Sequence, residues 1–163
     1  MKEQPGVRLS VEVNGVSHRG EVAPRTLLSD YLREALRLTG THLGCAHGTC
    51  GACTVLLDGA PVRACLLFAA QADGCAVTTI EGVSPDGELT AVQQAFQDNH
   101  GMQCGFCTPG FVVSLTAQLA ATPHPTEDEL VDTLEGHLCR CTGYQNILRA
   151  GRQAAGLAEE GSR

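Results

Sequence analysis

The sequence predicts an α+β chain in two halves, strands around one helix followed by helices alone. Three observations carry that expectation. Apolar residues alternate with polar ones near the N-terminus, the period of a half-buried strand. Helix-start signals recur after residue 90. The nine cysteines divide into two sets of four, Cys45/Cys50/Cys53/Cys65 and Cys104/Cys107/Cys139/Cys141, with Cys75 left over. Between the sets lies Glu81–Thr90, where Gly82, Pro85 and Gly87 sit among polar residues and mark a linker. The expected domains are therefore 1–82 and 83–163. Two halves of a 163-residue chain each bury little apolar surface, so metal held by the cysteines would help both to fold.

The first half opens as a hairpin. Val7, Leu9, Val11 and Val13 alternate with polar residues, Asn14-Gly15 supplies the turn, and Val16 to Val22 returns. A helix follows over about Thr26 to Leu38, with Leu28, Tyr31, Leu32, Ala35 and Leu36 on one face, a stripe that reads as core packing; Thr39-Gly40 stops it. Cys45 to Cys53 is a loop. Thr54 to Leu57 is a strand, Asp58-Gly59 a turn, and Pro61 to Ala64 the return. Cys65 starts a short apolar stretch, and Ala76 to Ile80 is the last strand. Strands wrapped on one helix, with the cysteines in a loop, suggest a β-grasp arrangement.

The second half reads as four helices. Thr90 caps the first, over Ala91 to Asn99. Thr108-Pro109 opens the second, Thr as N-cap and Pro at the first helical position, and the helix ends before Thr122-Pro123-His124-Pro125. Thr126-Glu127-Asp128-Glu129 forms a capping box for the third, which Gly136 ends. The fourth runs from about Tyr144 to Ala158, leaving Glu159 to Arg163 as a frayed tail. Cys104-Gly-Phe-Cys107-Thr108 and Cys139-Arg-Cys141-Thr142 each lead into a helix, so two helix N-termini, with their partial positive charge, would point at one anionic site.

Spacing constrains the chemistry unequally. Cys45, Cys50 and Cys53 form C-x4-C-x2-C with Cys65 beyond, the plant-type pattern of a [2Fe–2S] cluster. Soft thiolates suit iron bridged by sulfide, and interleaved Gly44, Gly48 and Gly51 let backbone amides approach the sulfurs. The second set, C-x2-C and then C-x-C, fits iron–sulfur but also a structural zinc site. Cys45-Ala-His47 resembles half of a Rieske site, but no second His stands near a cysteine to complete it. His47 therefore reads as a solvent-facing loop residue, and the other five histidines, scattered along the chain, read the same way. Cys75 reads as a free, partly buried thiol.

Composition closes off other classes. The net charge is −7, from 11 basic and 18 acidic residues, whereas nucleic-acid binding wants a basic face. No segment is apolar for long enough to span a membrane. Met1 to Gly6 shows no apolar leader core and no twin arginine. The expected location is the cytoplasm, where a cysteine pattern points to metal rather than disulfides. No nucleophile–base pair or phosphate loop stands out.

At this point the motifs resemble a known family. Gly44-Cys45-Ala-His-Gly-Thr-Cys50-Gly-Ala-Cys53-Thr54-Val55, Gln103-Cys104-Gly-Phe-Cys107-Thr-Pro-Gly110 and Leu138-Cys139-Arg-Cys141-Thr-Gly-Tyr144 are similar to the small iron–sulfur subunit of molybdenum hydroxylases, the xanthine oxidase, carbon monoxide dehydrogenase and quinoline oxidoreductase family. The resemblance covers nearly the whole chain. It implies a plant-type ferredoxin-like domain, a four-helix bundle with pseudo-twofold symmetry, and two [2Fe–2S] clusters. It implies a large partner subunit with a molybdopterin cofactor, a medium one with FAD, and a dimer of such heterotrimers. Electrons would pass from molybdenum to the Cys104/Cys107/Cys139/Cys141 cluster, then to the Cys45/Cys50/Cys53/Cys65 cluster, then to flavin. Gln103 aligns with a glutamine that hydrogen-bonds the pterin, and Cys141 with the ligand nearest it. The chain would thus be an electron-transfer subunit, not the catalytic one. The alternatives are a free-standing ferredoxin, which leaves the helical half and Gln103 unexplained, and a zinc-stabilised interaction module.

Overall fold

A computed structural model describes residues 5–84 and 86–157. The N-terminal Met1 to Gln4, the linker's Pro85, the predicted last residue of the fourth helix, Ala158, and the tail Glu159 to Arg163 lie outside the described residues.

Strands β1 (Val7–Val13) and β2 (Val16–Val22) form the predicted hairpin, Val13 opposite Val16 and Val7 opposite Val22. Asn14 takes a φ of 51°, the left-handed geometry that a two-residue hairpin turn demands. Alternation in β1 buries Leu9, Val11 and Val13 and exposes the residues between them. Strands β3 (Thr54–Leu57) and β4 (Ala60–Arg63) form a second hairpin. Strand β5 (Ala76–Thr78) runs between them, parallel to β1 and antiparallel to β3. The sheet order is β2-β1-β5-β3-β4.

The helix predicted over Thr26 to Leu38 is shorter and of mixed type. α1 (Leu28–Asp30) continues as a π-helical turn over Tyr31–Ala35. The chain cannot extend it, because Arg37 takes a φ of 61°, a left-handed conformation that ends a helix. Leu28 and Leu32 are nonetheless fully buried, packed with Val55, Val77 and the inner face of β1.

Four helices make up the rest: α2 (Ala91–Asp98), α3 (Thr108–Ala121), α4 (Glu127–Glu135) and α5 (Gln145–Ala155). The capping boxes at Thr90/Gln93 and Thr126/Glu129 are both present. The expected Thr108 cap shifts by one residue: Cys107 is the N-cap, Thr108 is the first helical residue, and its hydroxyl is buried. The tight turn from Cys104 to Cys107 brings the thiol, rather than the hydroxyl, to the helix entrance. These helices share a core of Phe96, Phe111, Leu115, Leu130, Ile147 and Ala150. α3 also packs on β3 and β4, joining the two halves. No helix among the described residues is long and apolar enough to cross a membrane.

Candidate functional site

Eight of the nine cysteines gather in two places. In the sheet half, Cys45 and Cys50 come from the loop before β3, Cys53 precedes that strand, and Cys65 follows β4 in a 3-10 turn over Ala64–Leu66. The β3–β4 hairpin therefore returns the chain to its starting point, and the Ala64 N–H donates to the Cys53 carbonyl at 3.2 Å. Cys53 and Cys65 are buried, Cys45 and Cys50 half-buried. In the helical half, Cys104 and Cys107 precede α3, and Cys139 and Cys141 lie between α4 and α5. Cys107 is buried, Cys139 half-buried, and Cys104 and Cys141 are exposed.

The thiols meet in pairs. Cys45 interacts with Cys50 and Cys53 with Cys65, while Cys107 interacts with Cys139. The Cys141 and Cys104 Sγ atoms are 3.4 Å apart. Among the described residues, no three or more His, Cys, Asp or Glu side chains close on a single ion. A two-iron cluster asks for two thiolates at each iron, and pairs of thiols match that demand.

Backbone donors surround the sulfurs. The Cys50 N–H donates to Cys45 Sγ at 3.4 Å, and amides of His47 and then Cys50 hold the Cys45 pKa down to about 6. The Phe106 N–H likewise holds Cys104 below the usual thiol range. At Cys139 burial pushes upward, but Thr142 prevails: its Oγ1 and N–H donate to the sulfur at 3.1 and 3.4 Å, and the net shift is downward. Burial pushes Cys53 up to about 11 and Cys107 up to about 12. Thiolates are what bind metal, so a cation at either place would reverse those two upward shifts. Gly44 adds a steric condition, since a Cβ there would stand 3.1 Å from Cys50 Sγ and 3.2 Å from the Phe106 ring. Donor type, pairing and aimed amides all fit a thiolate-held iron–sulfur group at each place.

Gln103 is exposed beside Cys104, on the same loop as that exposed thiol. His47 is exposed, its Nδ1 2.6 Å from the Cys45 carbonyl. Cys75 stands apart from both sets, half-buried, with its Sγ 3.8 Å from the Asp73 carbonyl.

The uniform solvent-facing reading of the remaining histidines is corrected at His137, which is only 3% exposed. Its Nε2 lies 3.0 Å from Ser114 Oγ, 3.3 Å from Thr54 Oγ1 and 3.5 Å from Arg63 Nη1. Burial, and then the Arg63 charge, lower its pKa to about 4, against the opposing pull of the Thr133 and Gly110 carbonyls. His42 stacks on Phe106 with ring centroids 4.8 Å apart. Its Nδ1 is 2.7 Å from the Phe106 carbonyl. Arg63, Phe106 and Leu138 carry no metal-site signature in sequence. For His137 the available clue was its position two residues before Cys139.

Comparison with known proteins agrees with the two centres. The family model described as "2Fe-2S iron-sulfur cluster binding domain" matches residues 11–79, and that described as "[2Fe-2S] binding domain" matches residues 79–152. The chain is 52% identical over 145 residues to the caffeine dehydrogenase subunit gamma of Pseudomonas sp. (strain CBB1), covering 87% of each chain. It is 52% identical over 150 residues to the nicotine 6-hydroxylase small subunit of Paenarthrobacter nicotinovorans, covering 92% of this chain and 90% of that one. Among solved structures, quinoline 2-oxidoreductase from Pseudomonas putida 86 contains a chain that superposes with a TM-score of 0.87. The identity there is 45%, with 93% of this chain and 94% of that one covered. In the aldehyde oxidoreductase from Desulfovibrio gigas the same fold, at a TM-score of 0.86 and 42% identity, covers 92% of this chain but 17% of that longer one.

Proposed function

This chain belongs to the small iron–sulfur subunits of molybdenum hydroxylases, and on that premise we propose how its residues divide the work of an electron-transfer subunit. Residues 1–82 form a plant-type ferredoxin-like domain. Residues 83–163 form a helical domain whose four helices make a bundle with pseudo-twofold symmetry, each half supplying two cysteines. Cys45, Cys50, Cys53 and Cys65 would hold one [2Fe–2S] cluster, and Cys104, Cys107, Cys139 and Cys141 the other. Each cluster, when bound, supplies one-electron redox chemistry.

The chain's own residues set the sites' polarity and exposure. The amides of Cys50, His47 and Phe106 and the Thr142 hydroxyl stabilise thiolate charge. Cys104 and Cys141, with Gln103 beside them, would lie on the face that meets a large molybdopterin subunit, a reading their exposure supports. Gln103 would hydrogen-bond the pterin, and Cys141 would lie nearest it. Cys45 and Cys50 would lie on the route toward a medium FAD subunit, a reading their half-burial supports. The complete enzyme would be a cytoplasmic dimer of heterotrimers. The caffeine, nicotine and quinoline named in its relatives support an N-heteroaromatic as the substrate class for the large subunit.

The single observation that carries this reading is the gathering of eight thiols into two sets of interacting pairs with hydrogen-bond donors aimed at their sulfurs. Low-temperature EPR of the dithionite-reduced chain, with iron and acid-labile sulfide counted on the same sample, tests it. Two distinct [2Fe–2S] signals with about four irons and four sulfides per chain are expected. Zinc without sulfide, or one signal alone, would sink it.

A further inference from the structure

The two four-thiol centres are joined by a run of three residues that does not belong to either set. Gly136, His137 and Leu138 immediately precede Cys139, and each bonds across to the sheet half. The Gly136 carbonyl accepts from Arg63 Nη2 at 2.5 Å. The His137 ring meets Thr54 and Arg63. The Leu138 N–H donates to the Cys50 carbonyl at 3.0 Å. One hydrogen bond thus separates the backbone of Cys50 from that of the residue next to Cys139.

His137 is the centre of this run. Thr54 and Arg63 come from β3 and β4, and Ser114 comes from α3. Thr54 Oγ1 also donates to the Gly51 carbonyl at 2.6 Å and accepts from Arg63 Nη1. The Phe111 ring covers the other side of the imidazole, with centroids 4.8 Å apart. The fit leaves no slack at Gly51, between Cys50 and Cys53: a Cβ there would stand 2.5 Å from His137 Cδ2. Thr54, Ser114 and His137 are all at most 5% exposed. Buried polar groups of this kind favour one arrangement strongly, because any slip strands a donor or acceptor without water.

We propose that His137 is a positioning residue: with Arg63 and Thr54 it locks residues 136–138 onto the sheet half, holds the Leu138 N–H on the Cys50 carbonyl, and so sets the coupling between the two clusters. The inference rests on the electron-transfer reading above. The transfer it serves moves one electron between centres, with no bond made or broken.

The test uses the full-length chain with both clusters assembled, as wild type and as the His137→Ala, His137→Gln and Arg63→Gln variants. Arg63→Gln removes the clamp from its half-buried side and leaves the imidazole in the core, so it covers the case in which His137→Ala folds poorly. Iron and sulfide are counted, the EPR spectrum of the fully reduced chain is recorded, and hydrogen exchange is followed at the Leu138 amide. Expected are both clusters with their own g-values unchanged, a reduced splitting from their mutual magnetic interaction, and about tenfold faster exchange at Leu138, the equivalent of about 1.4 kcal/mol. His137→Gln, whose amide can still accept from Ser114 and Arg63, should restore part of both. Wild-type splitting and wild-type exchange in His137→Ala and Arg63→Gln, with both clusters present, would overturn the proposal. A wild-type chain lacking either cluster signal would count against the electron-transfer reading instead, while Leu138 exchange would still report on the clamp.

Discussion

The sheet half and the helical half gather the same donors by opposite means. In the sheet half the cysteines flank a β-hairpin, so ladder hydrogen bonds between β3 and β4 fix their separation, and two of the four are buried. In the helical half they sit in two short loops ahead of α3 and α5, and two of the four are exposed. The strand scaffold buries Cys53 and Cys65, whereas the helix-entrance scaffold leaves Cys104 and Cys141 open to solvent.

Removing a ligand is the strongest way to break that comparison. Cys104→Ser should delete one [2Fe–2S] signal and about half of the iron, and uncouple substrate oxidation from flavin reduction in the assembled enzyme. Normal substrate-to-flavin transfer in that variant would refute the assignment.

Core truncations ask whether each half stands on its own packing. Leu32 and Leu130 are fully buried in separate cores. Leu→Ala at either should cost about 2–5 kcal/mol, read by urea denaturation. Hydrogen exchange should quicken mainly in the half that carries the change. Equal quickening in both halves would mean that the two cores unfold as one.

A smaller effect is expected at the cap of α4. Thr126→Ala should cost about 1 kcal/mol. The Thr126 N–H and then its hydroxyl hold the Glu129 carboxyl below its usual range. Because the folded pKa is the lower one, that contribution is present above the ordinary glutamate range and fades as pH falls through the folded value. The stability gap between variant and wild type should therefore narrow on acidification; a gap that widens would rule out the capping interaction.

Gln103→Ala should disturb the chain least. Both EPR signals and the melting temperature should match wild type, while transfer from the molybdenum side slows roughly fivefold, as for one lost hydrogen bond. Unchanged transfer kinetics and unchanged pterin retention would remove Gln103 from the site.

Much of this was legible because it is local. Hairpin turns at Asn14-Gly15 and Asp58-Gly59, the caps at Thr90 and Thr126, and the cysteine spacings each reside within a few residues, and so does the physics behind them. The same locality explains the misses. Arg37's left-handed backbone shortens the first helix, and Cys107 displaces Thr108 as a cap, because a tight loop rather than side-chain preference decides where each helix begins and ends.

By itself the sequence determined the two sets of donors, the class of each half and the order of the elements, since period, turn chemistry and ligand spacing act between neighbours along the chain. Only the tertiary structure decided which histidine is buried, that Phe106 lies on His42, and that Leu138 reaches Cys50. Those contacts join residues far apart in sequence, and at His137 their strength comes from the exclusion of water where α3 packs on β3 and β4, which no local pattern encodes.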